Sequence, residues 1–567
     1  MSEKKRSRGV ATLLWKKKQG IDEEVDSLAG IQDLLLQNIQ LDALDLLTAE
    51  KMACGSRDLF VLIAFLSAAF RRGHLCIEVT KEIIFPDPKL ILIAKEKQAC
   101  DYQDIEKAIQ AGFLQVKHVE GVIKEGTRLY FSKAYEEEKR VWQHYKRLKE
   151  SSCENFIEAD FDRSKLNAEQ VQAALQAYKS TLSCIYGGPG TGKTYTAGIF
   201  LKGYLKSYPQ ERKQQLRIAL AGPTGKSVAN LEKSIQRALG DDFEYNKKYF
   251  EIKTLHALLG MRRFATQPQN VPPALLAYDL LIVDETSMVD VSLMGQLLSR
   301  IPKGAKIVFL GDPHQLPSVG PGELFSRFVE LEPAGALTKC ERTDLQGILQ
   351  LASHVKNGAE DEAMALLLEG GREKNGSVCF HPVEHDEGLQ ELFLKEKERF
   401  AAEYHAILTK ETDPEERLFS LPRFRLLSPL QDGPWGVKAM NEQFYNACEP
   451  ILIVQNDYQL NLMNGEIGLL DKKCAYFEAK EGEKLWRVPA ILLSHYERAY
   501  ALSVHKSQGS EFEHVILFLP PGSEVFGRKM LYTAITRAKK KLEIFSSPEI
   551  LRACIRNECR RLSSLSL

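Results

Sequence analysis

The stretch IYGGPGTGKTYT, residues 185–196, constrains this 567-residue chain more than any other. It sets Gly187 and Gly192 at a fixed spacing, followed at once by Lys193 and Thr194. An apolar run, Ser183 to Tyr186, precedes it and a helical pattern follows. Strand, glycine loop and helix N-terminus together cradle phosphates, because the backbone N–H groups curl round them and the helix end adds positive potential. The loop comprises Gly187, Gly188, Pro189, Gly190, Thr191 and Gly192. Lys193 is expected to reach the β- and γ-phosphates of ATP, and the Thr194 hydroxyl to ligate Mg²⁺. The runs SCIYG, LRIALAG, LLIVDE and KIVFLGD are each short, apolar and closed by a polar loop. Central strands of a parallel α/β sheet have that form.

LLIVDETSM ends a strand on Asp284 and Glu285. An acidic pair after a strand is usually a solvated strand end. Ninety residues beyond the phosphate loop, it reads instead as a metal-holding Asp284 and a water-activating Glu285. Together the two motifs specify a nucleoside triphosphatase without saying what hydrolysis drives. Composition excludes other classes: 44% apolar and 27% charged residues are ordinary globular usage, not a disordered, collagen-like or disulfide-built chain. Lys+Arg and Asp+Glu both number 76, so nucleic-acid binding would have to come from local patches. The eleven cysteines are scattered and odd in number, as free thiols of a reducing cytosol would be. The longest apolar run, Leu59 to Phe70, is shorter than the roughly 20 residues a bilayer requires. A buried helix in a soluble, cytoplasmic protein is therefore expected.

At about 150 residues per domain, three or four domains fit the length. Residues 1–18 carry seven Lys/Arg against one Glu and read as a solvated tail rather than a nucleic-acid contact. Residues 20–150 read as mostly helical, the last helix, at 134–150, being charged and either exposed or leading into the next domain. A charged helical stretch at 380–417 precedes a second strand-rich block with RFRLLSP, YALSVH, HVILFLP and KLEIF. Between these, residues 450–497 read as short antiparallel strands.

The remaining motifs, in order, resemble those of the superfamily-1 DNA helicases. LNAEQ (166–170) resembles the adenine-reading motif, with Gln170 as its amide. AGPTGKSVANL (221–231) and TLHALLG (254–260) resemble strand-gripping motifs, which gives Pro223, Thr224, Lys226, Thr254 and His256 as DNA contacts. FLGDPHQLPSVGPGELF (309–325) resembles motif III, where Gln315 would sense the γ-phosphate. LTKCERTD (337–344) stands at the place of motif IV, with Arg342 as an arginine finger, although Glu341 and Thr343 replace the usual Phe and Gln. YALSVHKSQGSEF (500–512) resembles motif V, implying Ser503, His505, Lys506 and Gln508 against DNA and Glu511 against the ribose. LYTAITRAKKKLEIF (531–545) resembles motif VI, with Arg537 as the second finger.

SVHKSQGSEF, QDGPWGVKAMN (431–441) and NDYQLNLMNGEIGLL (456–470) are similar to the RecD branch, the 5′-to-3′ class. FLSAAFRRGHLCIEV (65–79) and LYFSKAYEEEKRV (129–141) extend the likeness to the alpha subunits of exonuclease V. The resemblance implies an α/β chain with a helical N-terminal partner-docking domain (1–155) and two RecA-like motor domains. The first spans 156–335 and the second 336–449 plus 498–567, with a small SH3-like β-barrel insert at 450–497. It also implies ATP and Mg²⁺ as cofactors, a DNA strand in a motor channel, and RecB- and RecC-like subunits in a heterotrimer that repairs double-strand breaks. Nuclease chemistry would belong to the RecB-like subunit. A stand-alone RecD-like helicase and a non-motor assembly subunit are the competing readings. The intact Lys193, Glu285, Gln315 and Arg537 argue against the latter.

Overall fold

The computed structural model describes residues 41–53, 55–91, 102–117, 119–151, 163–261, 274–340, 346–370, 377–383, 386–409, 413–457, 459–479 and 485–563. The basic tail lies outside these, as does Arg342. Ser56 caps the apolar helix Arg57–Arg71, its hydroxyl accepting from Leu59 N. Residues Phe60 to Ala69 of that helix are buried against the helices Ala43–Met52 and Tyr102–Gln115. Leu59–Phe70 is thus an internal core, with Asp45 buried beside it on Arg71 at 2.5 Å.

The N-terminal region is not purely helical. Strands β1 (Cys76–Val79), β2 (Ile84–Phe85), β3 (Val122–Glu125) and β4 (Arg128–Phe131) form an antiparallel sheet in the order β2-β1-β4-β3. Runs of two to four residues are too short for a period-two pattern to stand out in sequence. The charged helix Ser132–Lys149 is not mainly exposed either. Ala134, Val141, Trp142, Tyr145 and Leu148 make one buried stripe at helical spacing. The stripe joins the core beside the helix Val291–Arg300, and Tyr145 stacks on Phe328 at 5.3 Å.

Two parallel sheets follow. The first contains β5 (Leu182–Gly187), β6 (Ile218–Gly222), β7 (Phe250–Thr254), β8 (Leu280–Val283), β9 (Lys306–Gly311) and β10 (Ala336–Leu337), in the order β10-β5-β9-β8-β6-β7. Every neighbouring pair is parallel, and helices cover both faces. The second contains β11 (Val378–Pro382) and β12 (Phe424–Ser428), then, beyond an excursion, β18 (Ala501–Ser503), β19 (Phe512–Leu519) and β20 (Ala538–Ser546). Its order is β11-β20-β19-β12-β18, again all parallel. The charged helix Asp386–Thr409 flanks this sheet, burying Phe393, Phe400 and Tyr404.

The excursion between β12 and β18 holds an antiparallel sheet of β13 (Glu449–Ile453), β14 (Ile467–Leu470), β15 (Cys474–Glu478), β16 (Leu485–Pro489) and β17 (Tyr496–Arg498). Its order, β16-β15-β14-β13-β17, leaves β16 and β17 as edges. A strap at 561–563 joins the regions. Arg561 donates to the carbonyls of Ser318 (2.6 Å) and Gly320 (3.0 Å), and Leu75 N donates to Leu562 O at 3.1 Å. Among the described residues, no helix is long and apolar enough to cross a membrane.

Trp142 is nearly buried and packs edge-on against Phe328 at 5.9 Å. Trp142→Ala is expected to cost about 3–5 kcal/mol at this contact. In thermal denaturation the melting of the first parallel sheet should fall by several degrees. An unchanged profile would contradict a shared core.

Candidate active site

The sequence motifs converge on the carboxyl edge of the first parallel sheet. The phosphate loop leaves β5, Pro223 and Thr224 leave β6, Thr254 ends β7, Asp284 follows β8, and Asp312–Gln315 follow β9. Open α/β sheets place ligands at this edge, where loops and helix N-termini turn back.

In the phosphate loop, Gly192 has φ +82° and caps the helix Lys193–Lys206, a conformation that strains any side chain. The Lys193 ammonium donates to the carbonyls of Gly187 (2.8 Å) and Gly188 (3.0 Å), so it lies folded over the loop. Thr191 Oγ1 donates to Gly188 O at 2.9 Å, and Cys340 approaches the carbonyl of Pro189 at 3.6 Å. Thr194 Oγ1 stands 3.5 Å from Asp284 Oδ2. Burial and the neighbouring Glu285 carboxylate push the Asp284 carboxyl up to about 7. A buried carboxylate beside a hydroxyl is a hard-oxygen donor set, and a divalent cation would relieve its charge. The residues therefore fit Mg²⁺. Glu285, a non-glycine residue, sits at φ 51°, ψ 43°. Such strain, of order 1–3 kcal/mol, persists where the surrounding structure imposes it, commonly at active sites.

Gln170 is buried at the rim. Its oxygen accepts from Asn167 N at 3.1 Å and its nitrogen donates to Thr191 O at 3.0 Å. It therefore braces the loop, and reading an adenine edge would require these bonds to exchange. Beside it is a cleft of about 480 Å³, lined by Leu166, Asn167, Gln170, Gly192, Tyr195 and Lys339, among others. Tyr195 offers a ring there that the motif reading did not single out.

Lys226 Nζ donates to Ser510 Oγ, in the loop between β18 and β19, at 2.6 Å. Burial, with the Arg425 and Arg537 cations, pushes its ammonium down to about 8. Thr224 caps the helix Gly225–Leu239 through Ser227 N and Thr254 the short turn Leu255–Leu258 through Ala257 N, while His256 is exposed. Ser503 is buried, Lys506 pairs with Glu497 at 2.5 Å, and Gln508 donates to Leu316 O at 2.8 Å. Burial and Arg561 push His505 down to about 4, leaving a neutral imidazole near pH 7. Glu511 pairs with Lys539 at 3.0 Å. The Arg537 guanidinium is buried and held within the lobe built on the second parallel sheet, by the carbonyls of Ser510 and Thr533, both at 3.0 Å.

The helix Gly527–Ile535 of the second lobe also grips the loop after β9. Tyr532 OH donates to Asp312 Oδ2 (3.0 Å), Leu316 N donates to Thr533 Oγ1 (2.8 Å), and Lys529 pairs with Glu323. The motif reading passed over these groups. Tyr532 and Thr533 stand inside a quoted motif, but only tertiary structure gives them partners.

The AAA domain family model matches residues 170–321, and that of the UvrD-like helicase C-terminal domain matches 498–544. The RecBCD enzyme subunit RecD of Mycolicibacterium smegmatis is 33% identical over 423 residues, spanning 70% of this chain and 74% of that protein. The chain belongs to the RecD family. The RecD of Haemophilus influenzae is 28% identical, across 77% of this chain and 79% of that protein. The ATP-dependent RecD2 DNA helicase of Deinococcus radiodurans is 27% identical but is covered over 49% of its length. A crystal structure of a Bacteroides Pif1 helicase with ADP-AlF3 and ssDNA is 17% identical, covering 70% of this chain and 95% of that one, at TM-score 0.37.

Glu285→Gln keeps the shape of the site and removes the carboxylate expected to act as the base. It is expected to lower ATP turnover by roughly 10²–10⁴-fold while leaving ATP-analogue binding within a few-fold. Steady-state kinetics beside equilibrium binding measures both, and unchanged turnover would contradict the assignment.

Proposed function

We propose that this chain is the ATP-dependent 5′-to-3′ DNA helicase subunit of a RecBCD (exonuclease V) complex, opening DNA ends for recombinational repair in the cytoplasm. The observation that carries the reading is the placement of phosphate-loop and strand motifs on the carboxyl edge of one parallel sheet, to which Ser510 and Thr533, from a loop and a helix of the second parallel sheet's region, hydrogen-bond. Membership of the RecD family supports it. So does the span of the match, which covers 74% to 80% of the first RecD subunits but 49% of the longer RecD2 helicase.

In this reading, residues 187–192 and Lys193 bind the triphosphate of ATP, and the cleft by Gln170 and Tyr195 takes the base. Thr194 and Asp284 would hold Mg²⁺, which draws charge from the phosphoryl oxygens. Glu285 takes the proton of the attacking water, and Gln315 senses the γ-phosphate. Arg537 serves as an arginine finger once released from Ser510, and Arg342 as another. Glu511 faces the ribose. A finger on the second lobe makes hydrolysis depend on lobe closure, which turns chemistry into movement.

Pro223, Thr224, Lys226, Thr254, His256, Ser503, His505, Lys506 and Gln508 hold one DNA strand by its backbone. Such contacts carry no sequence information, as a translocase requires. The N-terminal region docks a RecC-like subunit of a heterotrimer that also holds a RecB-like one, and the insert at 450–497 is read as the SH3-like module of the motor. The proposed domains are 1–155, 156–335, 336–449 with 498–567, and the insert.

Strand displacement with Mg²⁺–ATP tests the reading. Duplexes with a 5′ tail should open, those with a 3′ tail should not, and Lys193→Gln should abolish both opening and ATP turnover. Unwinding from the 3′ tail alone, or unchanged unwinding by Lys193→Gln, would contradict it.

A further inference from the structure

The Asp312 carboxylate is almost wholly buried, and three groups converge on it. His314 N donates to Oδ1 at 3.0 Å, while Gln315 Nε2 (3.3 Å) and Tyr532 OH (3.0 Å) both reach Oδ2. Gln315 and Asp312 belong to the loop after β9 of the first sheet, whereas Tyr532 lies on the helix Gly527–Ile535 of the second lobe. The Tyr532 hydroxyl also overhangs the phosphate loop: a Cβ built on Gly188 would meet it at 3.0 Å. Burial and the adjacent Asp312 raise the phenol well above its usual range, so it is a permanent donor.

The remaining end of the Gln315 amide is equally telling. With Nε2 committed to Asp312, Oε1 is buried without a hydrogen-bond partner. A buried acceptor without a donor is costly. Its orientation is therefore imposed by the other end of the amide. That end is fixed by a carboxylate, and the carboxylate by a phenol of the opposite lobe.

We infer that Tyr532 is a positioning residue for ATP hydrolysis, acting through Asp312 to aim the Gln315 amide oxygen at the reacting end of the nucleotide. This rests on the ATPase reading proposed above. Tyr532 thereby ties Gln315 to the lobe that carries Arg537. When the lobes separate, the Tyr532–Asp312 bond is lost and Gln315 is no longer held. Hydrolysis is thus restricted to the closed arrangement by a hydrogen bond, in addition to the arrival of the finger.

The experiment compares the full-length wild type with Tyr532→Phe, Gln315→Ala and the double variant, measuring kcat and KM for ATP with saturating single-stranded DNA. Tyr532→Phe retains the ring and its packing. It should lower kcat by about tenfold or more, as expected for a hydrogen bond to a charged group, with KM within about twofold and the thermal midpoint nearly unchanged. In the Gln315→Ala background the same change should have little further effect, because the residues act in series. Multiplicative losses in the double variant, or wild-type kcat in Tyr532→Phe, would overturn the inference while the ATPase reading stands. A wild-type chain without ATP turnover would overturn both. If Tyr532→Phe fails to fold, Asp312→Asn supplies the same cycle with Gln315→Ala, under the same expectations.

Discussion

The loop from Asp312 to Gly322 leaves the first parallel sheet, yet the second lobe holds it. Tyr532, Thr533, Gln508, Lys529 and Arg561 all bond to it, several of them through backbone carbonyls and amides that any side chain at those positions would present. Buried backbone groups must be paired, so the loop cannot part from the second lobe without losing or replacing these bonds. Gly322 N also donates to Gly73 O at 2.9 Å, which brings the N-terminal region to the same junction. Three regions of the chain therefore meet at the segment that follows Gln315.

Much of the candidate site was legible because its chemistry is local. A glycine loop between strand and helix, and an acidic pair at a strand end, need only adjacent residues to be recognised. The four apolar runs taken as central strands are β5, β6, β8 and β9 of the parallel sheet. Short runs such as Ile84–Phe85 and Ala336–Leu337 were not legible, because two residues carry no periodicity. The charged helix Ser132–Lys149 misled for a different reason: its composition is dominated by the solvated face, while one stripe of aromatic and aliphatic residues decides its packing.

Partners chosen by tertiary structure were beyond sequence reasoning. Gln170 bonds to its own helix cap and to Thr191, and Arg537 to Ser510 and Thr533. Lys226 meets Ser510 from the opposite lobe. In each case a polar group that the proposed function would engage elsewhere is satisfied by a protein oxygen. That keeps it from being buried unpaired, and under the proposed function its release becomes part of the working cycle. The balanced net charge conceals the same economy: cations such as Lys506 and Lys539 stand beside Glu497 and Glu511 rather than forming an open basic face.

The segment from Leu316 to Gly322 thus moves with the second lobe, whereas Asp312, next to β9, stays with the first sheet and parts from Tyr532 when the lobes separate. Electron–electron distance measurements would test it, with spin labels carried by non-natural residues at exposed Val319 in the loop, Tyr245 on the first lobe and Phe419 on the second. On adding a non-hydrolysable ATP analogue, the Val319–Phe419 distance should hold while Val319–Tyr245 and Phe419–Tyr245 change together. A loop that kept its distance to Tyr245 while Phe419 moved would contradict the account.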